Sequence, residues 1–309
     1  MNTHLVARLL AGRLLAGTTG TGLSDMFAHP FMRQAFLAGL PIAALTGAVG
    51  YFMVLRSQVF TGDALSHVAF TGALGALAFG LDARLGLFTA TIGIGVVLGL
   101  LGHRGHADDV LIGTVFAWIL GLGVLALSVY TASTQAATNG GAGISVLFGS
   151  IFGLSPTRAA LASTIALALL AVTVAIARPL LFASLDEAVA AARGVPVTAL
   201  GVGFLALAGA TAAEATQAVG ALLLLGLLAA PAGAASRLTR NPYTGLALSV
   251  VLSLVAMSVG LTVSYLAPQL PPSFSILTIA ALTYAGFGLA RCGGGYRRTA
   301  GSSPPVSMS

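Results

Sequence analysis

Lysine is absent from all 309 residues, and the 14 basic side chains are all arginine. A Gly-x-x-x-x-Gly-Lys-Ser/Thr phosphate loop is therefore excluded, so the chain cannot hydrolyse ATP through one. A single cysteine, Cys292, rules out an internal disulfide framework and any cysteine-based metal cluster. It reads as a small apolar residue near the last hydrophobic stretch. Acids number only eight and charged residues 7% of the chain, too few for the surface of a soluble globular domain. The sequence pI near 10.2 follows from that shortage of acids. The arginines are scattered and form no basic stripe, so the charge balance implies no nucleic-acid partner.

What is abundant is apolar. The hydrophobic fraction is 57%, with 40 glycines and a mean hydropathy of +0.98, the profile of a polytopic membrane protein whose helices pack closely through small residues. Windows long enough to span roughly 30 Å of hydrocarbon recur at 34–55, 62–80, 85–101, 110–130, 157–177, 196–212, 215–235, 244–266 and 273–290. The expected fold is all-α, a transmembrane bundle of about eight to ten spans over 33–290. Residues 1–32 read as an amphipathic or disordered segment, and 291–309 as a disordered cytosolic tail. The apolar stretch 144–154 is too short to cross and reads as a re-entrant or interfacial helix.

Arginines near span ends set the orientation. Arg178 and Arg193, Arg237 and Arg240, and Arg291, Arg297 and Arg298 mark three regions as cytosolic. Nine spans then place Arg8, Arg13 and Arg33 outside, a conflict that eight or ten spans would remove.

Polar residues inside the apolar windows require a reason, since an aspartate at a membrane-helix centre costs about 2.5–3.5 kcal/mol. Asp63 and His67 stand four apart, hence one turn apart on one helix face. They read either as a hydrogen-bonded pair that locks two helices or as groups lining a transport path. Carboxylate and imidazole together suit Zn, Mn and Fe, but two ligands do not close a coordination sphere. A metal held there needs water, a symmetry mate or a group from another helix. His103, His106, Asp108 and Asp109 also lie close in sequence, but Gly105 breaks any common helical face, and the cluster reads as a loop. Glu214 and Gln217 fall at the junction of two windows, which places them in a solvated loop.

Leu181 to Gly194 reads as a short amphipathic cytosolic helix. Ser184, Asp186 and Glu187 suit its N-terminal end, and Arg193 with Gly194 its C-terminal end. It is either a docking element or a helix closing a loop on the membrane surface. Gly220 and Pro231 punctuate the window 215–235 and read as packing or bending positions.

In order and spacing these motifs resemble the permease subunit of the zinc/manganese/iron ABC importer family. The resemblance rests on Val54 to Arg56, Gly62-Asp63-Ala64-Leu65-Ser66-His67 with Gly72, Asp109 with Ile112 and Gly113, and Leu147 to Ser150. It continues through Leu185-Asp186-Glu187 and Ala192-Arg193-Gly194, then Val219-Gly220 and Pro231. It implies a homodimeric, non-enzymatic permease in the cytoplasmic (inner) membrane. Such a permease is loaded by an extracytoplasmic metal-binding protein and driven by a cytosolic ABC ATPase dimer. It carries Zn, Mn or Fe as cargo and holds no permanent cofactor. Asp63 and His67 then line the metal path, and Leu185, Asp186, Glu187, Ala188, Arg193 and Gly194 belong to the coupling helix. The family often has an aromatic residue where Leu185 stands. Two other classes stay open from the residues alone. One is an ion-coupled secondary transporter or exporter with Asp63 and His67 as a proton relay. The other is an intramembrane hydrolase, for which no second intramembrane carboxylate is visible.

Overall fold

Apolar windows of this length become helices because lipid leaves no partner for backbone N–H and C=O groups other than the helix's own. The computed structural model describes residues 21–102, 109–133, 141–221 and 224–299, and every α or 3-10 element among them is helical. In order these are α1 (Thr21–Ala28), α2 (Pro30–Leu55), α3 (Val59–Ala78), α4 (Ala83–Leu101), α5 (Asp109–Ala132) and α6 (Ala142–Phe148). A 3-10 turn at Ile151–Gly153 follows, then α7 (Pro156–Leu185), α8 (Glu187–Ala192), α9 (Val197–Val219), α10 (Leu224–Leu238), α11 (Pro242–Leu266) and α12 (Pro272–Thr299). Six of them, α2, α4, α5, α7, α9 and α11, are long and apolar enough to cross a membrane. The chain is a multi-pass membrane protein.

Helix α2 is the hub. Its most apolar stretch is 72% buried, against 17% for α5, so α5 lies at the rim and turns most of its surface outward. Contacts fix the directions. Gly39 meets Met257 and Tyr51 meets Gly245, which makes α2 and α11 antiparallel, with Ser249 Oγ donating to the Gly47 carbonyl at 2.7 Å. Gly99 meets Val202 and Gly209 meets Thr91, which makes α4 and α9 antiparallel as well. Arg33 stands at the end of α2 opposite Arg56.

Two pairs of glycines allow backbones to approach closely. Gly72 of α3 and Gly86 of α4 face one another so tightly that a Cβ on either would overlap the other's carbonyl oxygen. Backbones meet this way at small-residue crossings in membrane bundles. At a second crossing Gly149 and Gly220, with φ of 76° and 92°, lie backbone to backbone. Ser150 N–H donates to the Gln217 carbonyl at 3.3 Å and Ala221 N–H to the Val146 carbonyl at 3.1 Å. Thus the end of α6 and the end of α9 satisfy each other's open backbone groups where both helices stop.

The structure corrects several boundaries. The windows 196–212 and 215–235 are not two spans with a junction at 213–214: α9 continues to Val219, and the break falls at Gly220. Glu214 and Gln217 thereby sit inside a helix, and Glu214 is fully buried, contrary to the solvated loop expected. Pro231 does not end its helix, since α10 runs on to Leu238 with Pro231 buried. A short helix occupies Thr21–Ala28, and the last helix runs to Thr299, past the apolar window that ends at 290. The short stretch 144–154 is the helix α6 followed by the 3-10 turn, as its length requires.

Candidate functional site

Helix α3 begins at Val59, so Asp63 and His67 fall in its second and third turns, both half-buried. The α-helical register sends them toward α5, where the His67 ring meets Phe116 edge-on at 5.1 Å. Phe60 packs on the same Phe116 at 5.8 Å. Above His67 a cavity of about 120 Å³ is lined by Phe70, Thr71, Leu120, Gly123 and Leu147, so the tip of α6 closes it from the far side. Ser66 Oγ is taken up by the Asp63 carbonyl at 2.7 Å, which leaves the Asp63 carboxylate to other partners. Among the described residues no group of three or more His, Cys, Asp or Glu is placed to hold a metal ion. Of the cluster at 103–109, only Asp109 lies within the described residues, as the first residue of α5.

The short helix expected at Leu181 to Gly194 is shorter than that range. Leu181 to Leu185 belong to α7, with Ser184 Oγ donating to the Leu180 carbonyl at 2.6 Å. The N-cap is Asp186, not Ser184. Its N–H closes α7 on the Phe182 carbonyl at 3.2 Å, and its Oδ1 accepts from Val189 N–H at 2.9 Å to start α8. One residue thus ends one helix and caps the next. At the other end Gly194, φ 81°, forms a Schellman turn. Gly194 N–H bonds to the Ala191 carbonyl at 3.0 Å and Val195 N–H to the Ala190 carbonyl at 3.1 Å. Leu185, the last residue of α7, is 62% exposed and Ala188 of α8 is exposed as well, so the corner between the two helices presents exposed apolar side chains.

Two arrangements went unrecognised in the sequence. Arg84, at the start of α4, donates through Nη2 to both Glu214 oxygens at 3.0 and 2.9 Å. Arg84 borders a cavity of about 440 Å³ lined also by Asp82, Ser150, Arg158, Thr216 and Gln217. A separation of 130 residues hides such a pair from local reading; the only cue was an acid inside an alanine-rich run. Arg56, just past the end of α2, is only 7% exposed. Burial lowers its pKa to about 10, while the Glu187 carboxylate on α8 raises it, so it is a cation at neutral pH.

A family model described as the ABC 3 transport family matches residues 28–288. The chain belongs to the ABC 3 transport family. Within this family it is 27% identical over 270 residues to a manganese import system permease protein, ScaB, of Streptococcus gordonii, covering 87% of this chain and 94% of that one. It is also 27% identical over 244 residues to a chelated iron transport system membrane protein, YfeD, of Yersinia pestis, covering 79% and 80%. Its fold matches a solved structure of PsaBC from Streptococcus pneumoniae in complex with Fab. The TM-score is 0.73 at 25% identity, over 86% of this chain and 93% of that one. The ABC 3 match spans α2 to α11 and most of α12, so both the Asp63–His67 helix and α8 lie inside it.

Proposed function

We propose that this chain is the permease subunit of an ABC importer that moves a divalent transition metal ion, Zn, Mn or Fe, across the cytoplasmic membrane. The observation that carries the reading is the placement of Asp63 and His67. A carboxylate and an imidazole stand one turn apart on a helix inside a bundle otherwise almost free of charge, facing a rim helix and a small cavity. The metal is cargo. A path needs ligands that bind well enough to admit the ion and incompletely enough to release it, and two ligands per chain meet that condition. A second copy of the chain, meeting this one across the α3–α5 side, would add the remaining ligands.

Work comes from outside the chain, which has no lysine for a phosphate loop. In this reading α8 is the coupling helix on the cytosolic side, docking into a dimer of ABC ATPase subunits through Leu185, Glu187 and Ala188. Asp186 and Gly194 fix its two ends. An extracytoplasmic metal-binding protein delivers the ion at the opposite end, where the 440 Å³ cavity lies. Gly220, with its break between α9 and α10, and the buried Pro231 hold the backbone around the path.

The test is metal uptake into proteoliposomes that contain the permease and its ATPase. Asp63→Asn and His67→Ala should each cut uptake by about tenfold or more, the scale of losing a charge-assisted contact, while the dimer and its ATPase still assemble. Normal uptake in both variants would reduce the pair to a structural lock.

A further inference from the structure

Three residues join α2 to α3, and they form a rigid turn. Ser57 N–H bonds to the Val54 carbonyl at 3.1 Å and Gln58 N–H to the Met53 carbonyl at 2.8 Å. Ser57 itself sits at φ 56°, the one non-glycine in the left-handed region among the described residues, a conformation that persists only where its surroundings hold it. Arg56 would ordinarily reach solvent from such a position. Instead its guanidinium lies 5.5 Å over the Phe204 ring of α9, and Nε donates to Gln58 Oε1 at 3.3 Å. Phe204 is fully buried and packs edge-on against Phe52 at 6.1 Å. Arg56 thus touches the helix that follows α8 and folds back on the turn that precedes α3.

We propose that Arg56 is a positioning residue that links the short helix α8 to the helix carrying Asp63 and His67. The inference rests on the function proposed above and adds a route by which the ATPase could act on the metal path. Glu187, the first residue of α8, supplies the opposing charge. Movement of α8 shifts that charge and, through the Schellman turn and Pro196, shifts α9 and its Phe204 as well. Both act on one guanidinium, and the turn beyond it leads within one residue into α3. Asp63 lies in the second turn of that helix, so a tilt of α3 at Val59 is carried directly to it. Gln58 Nε2 and Thr61 Oγ1 are buried beside the turn without a hydrogen-bond partner.

The experiment is uptake and ATP hydrolysis measured together on the assembled transporter in proteoliposomes, with the binding protein and Mn²⁺ as the probe. Arg56→Gln should lower metal ions moved per ATP by about tenfold, within the usual range of coupling energies, while the complex assembles and ATP is still hydrolysed. Arg56→Lys should recover part of the loss, Glu187→Gln should reproduce it, and the double variant should be no worse than the more impaired single. An unchanged ratio in Arg56→Gln overturns the inference. So does a fall in uptake and hydrolysis together with lost thermal stability, which Arg56→Lys does not relieve. If Arg56→Gln fails to assemble, Glu187→Gln decides alone, with an unchanged ratio overturning the proposal. A wild-type complex that hydrolyses ATP but moves no metal would instead sink the transport reading.

Discussion

Glu214 and Arg84 form an ion pair in the interior of a bundle, and its energetics can be worked from exposure. Glu214 is fully buried and Arg84 retains 19% of its side-chain surface. Replacing Arg84 by Met strands a carboxylate with only Gln217 Nε2 at 3.5 Å to stabilise it. Breaking a buried pair in this way costs about 3–5 kcal/mol, which is a factor of roughly 10² to 10³ or more in the unfolding constant. Glu214→Leu is milder: Arg84 can turn its head into the adjoining cavity beside Asp82, so about 1–3 kcal/mol is expected. Removing both charges at once leaves nothing unpaired, and the double variant should come within about 1 kcal/mol of wild type. Reversible unfolding in detergent micelles, followed by far-UV circular dichroism and run as a double-mutant cycle, reads all three values. A double variant that costs the sum of the two singles, or an Arg84→Met loss below about 1 kcal/mol, would refute the view that this pair is held by mutual compensation.

The remaining expectations concern backbone and packing. Gly220→Ala places a Cβ on the backbone of Leu147 to Gly149 at positive φ; the left-handed penalty alone is about 1–2 kcal/mol, and the overlap adds to it, measurable as a lower midpoint of thermal unfolding. Asp186→Ala removes the cap of α8 and should weaken that helix by about 1 kcal/mol, seen as faster amide exchange at Val189 with α7 unaffected; unchanged exchange would mean the cap is dispensable. Gly86→Leu should separate α3 from α4, lowering stability by at least about 1–3 kcal/mol in the same thermal assay.

Much of this molecule could be read from its sequence because lipid enforces a simple pattern. Helix class, approximate span positions and the half-helix near 144–154 follow from the lengths of apolar runs. The turn at Gly194 follows from local chemistry, whereas the cap is Asp186 rather than Ser184 and α8 starts six residues past Leu181, because α7 carries its hydrogen bonding through Ser184 to Leu185. The Asp63–His67 pair announced itself by cost. What failed was tertiary. The break at Gly220 is fixed by its contact with Gly149, 71 positions away, so no local signal moves the junction there from 213–214. Glu214 was placed in water because its partner Arg84 could not be seen, and an acid without a visible cation reads as exposed. Arg56 was noted only for its charge and its place in a motif, since its contact with Phe204 exists only in the folded bundle.

Whether Asp63 and His67 serve the passage of a metal ion is the decisive question. The direct measurement is time-resolved uptake of radioactive Mn²⁺, then of Zn²⁺ and Fe²⁺, into proteoliposomes holding the permease with its ATPase and binding protein. ATP-dependent accumulation of at least one of these ions in the wild type, lost in Asp63→Asn and His67→Ala complexes that remain assembled, is the predicted result. Accumulation that persists at wild-type rate in both variants would contradict it.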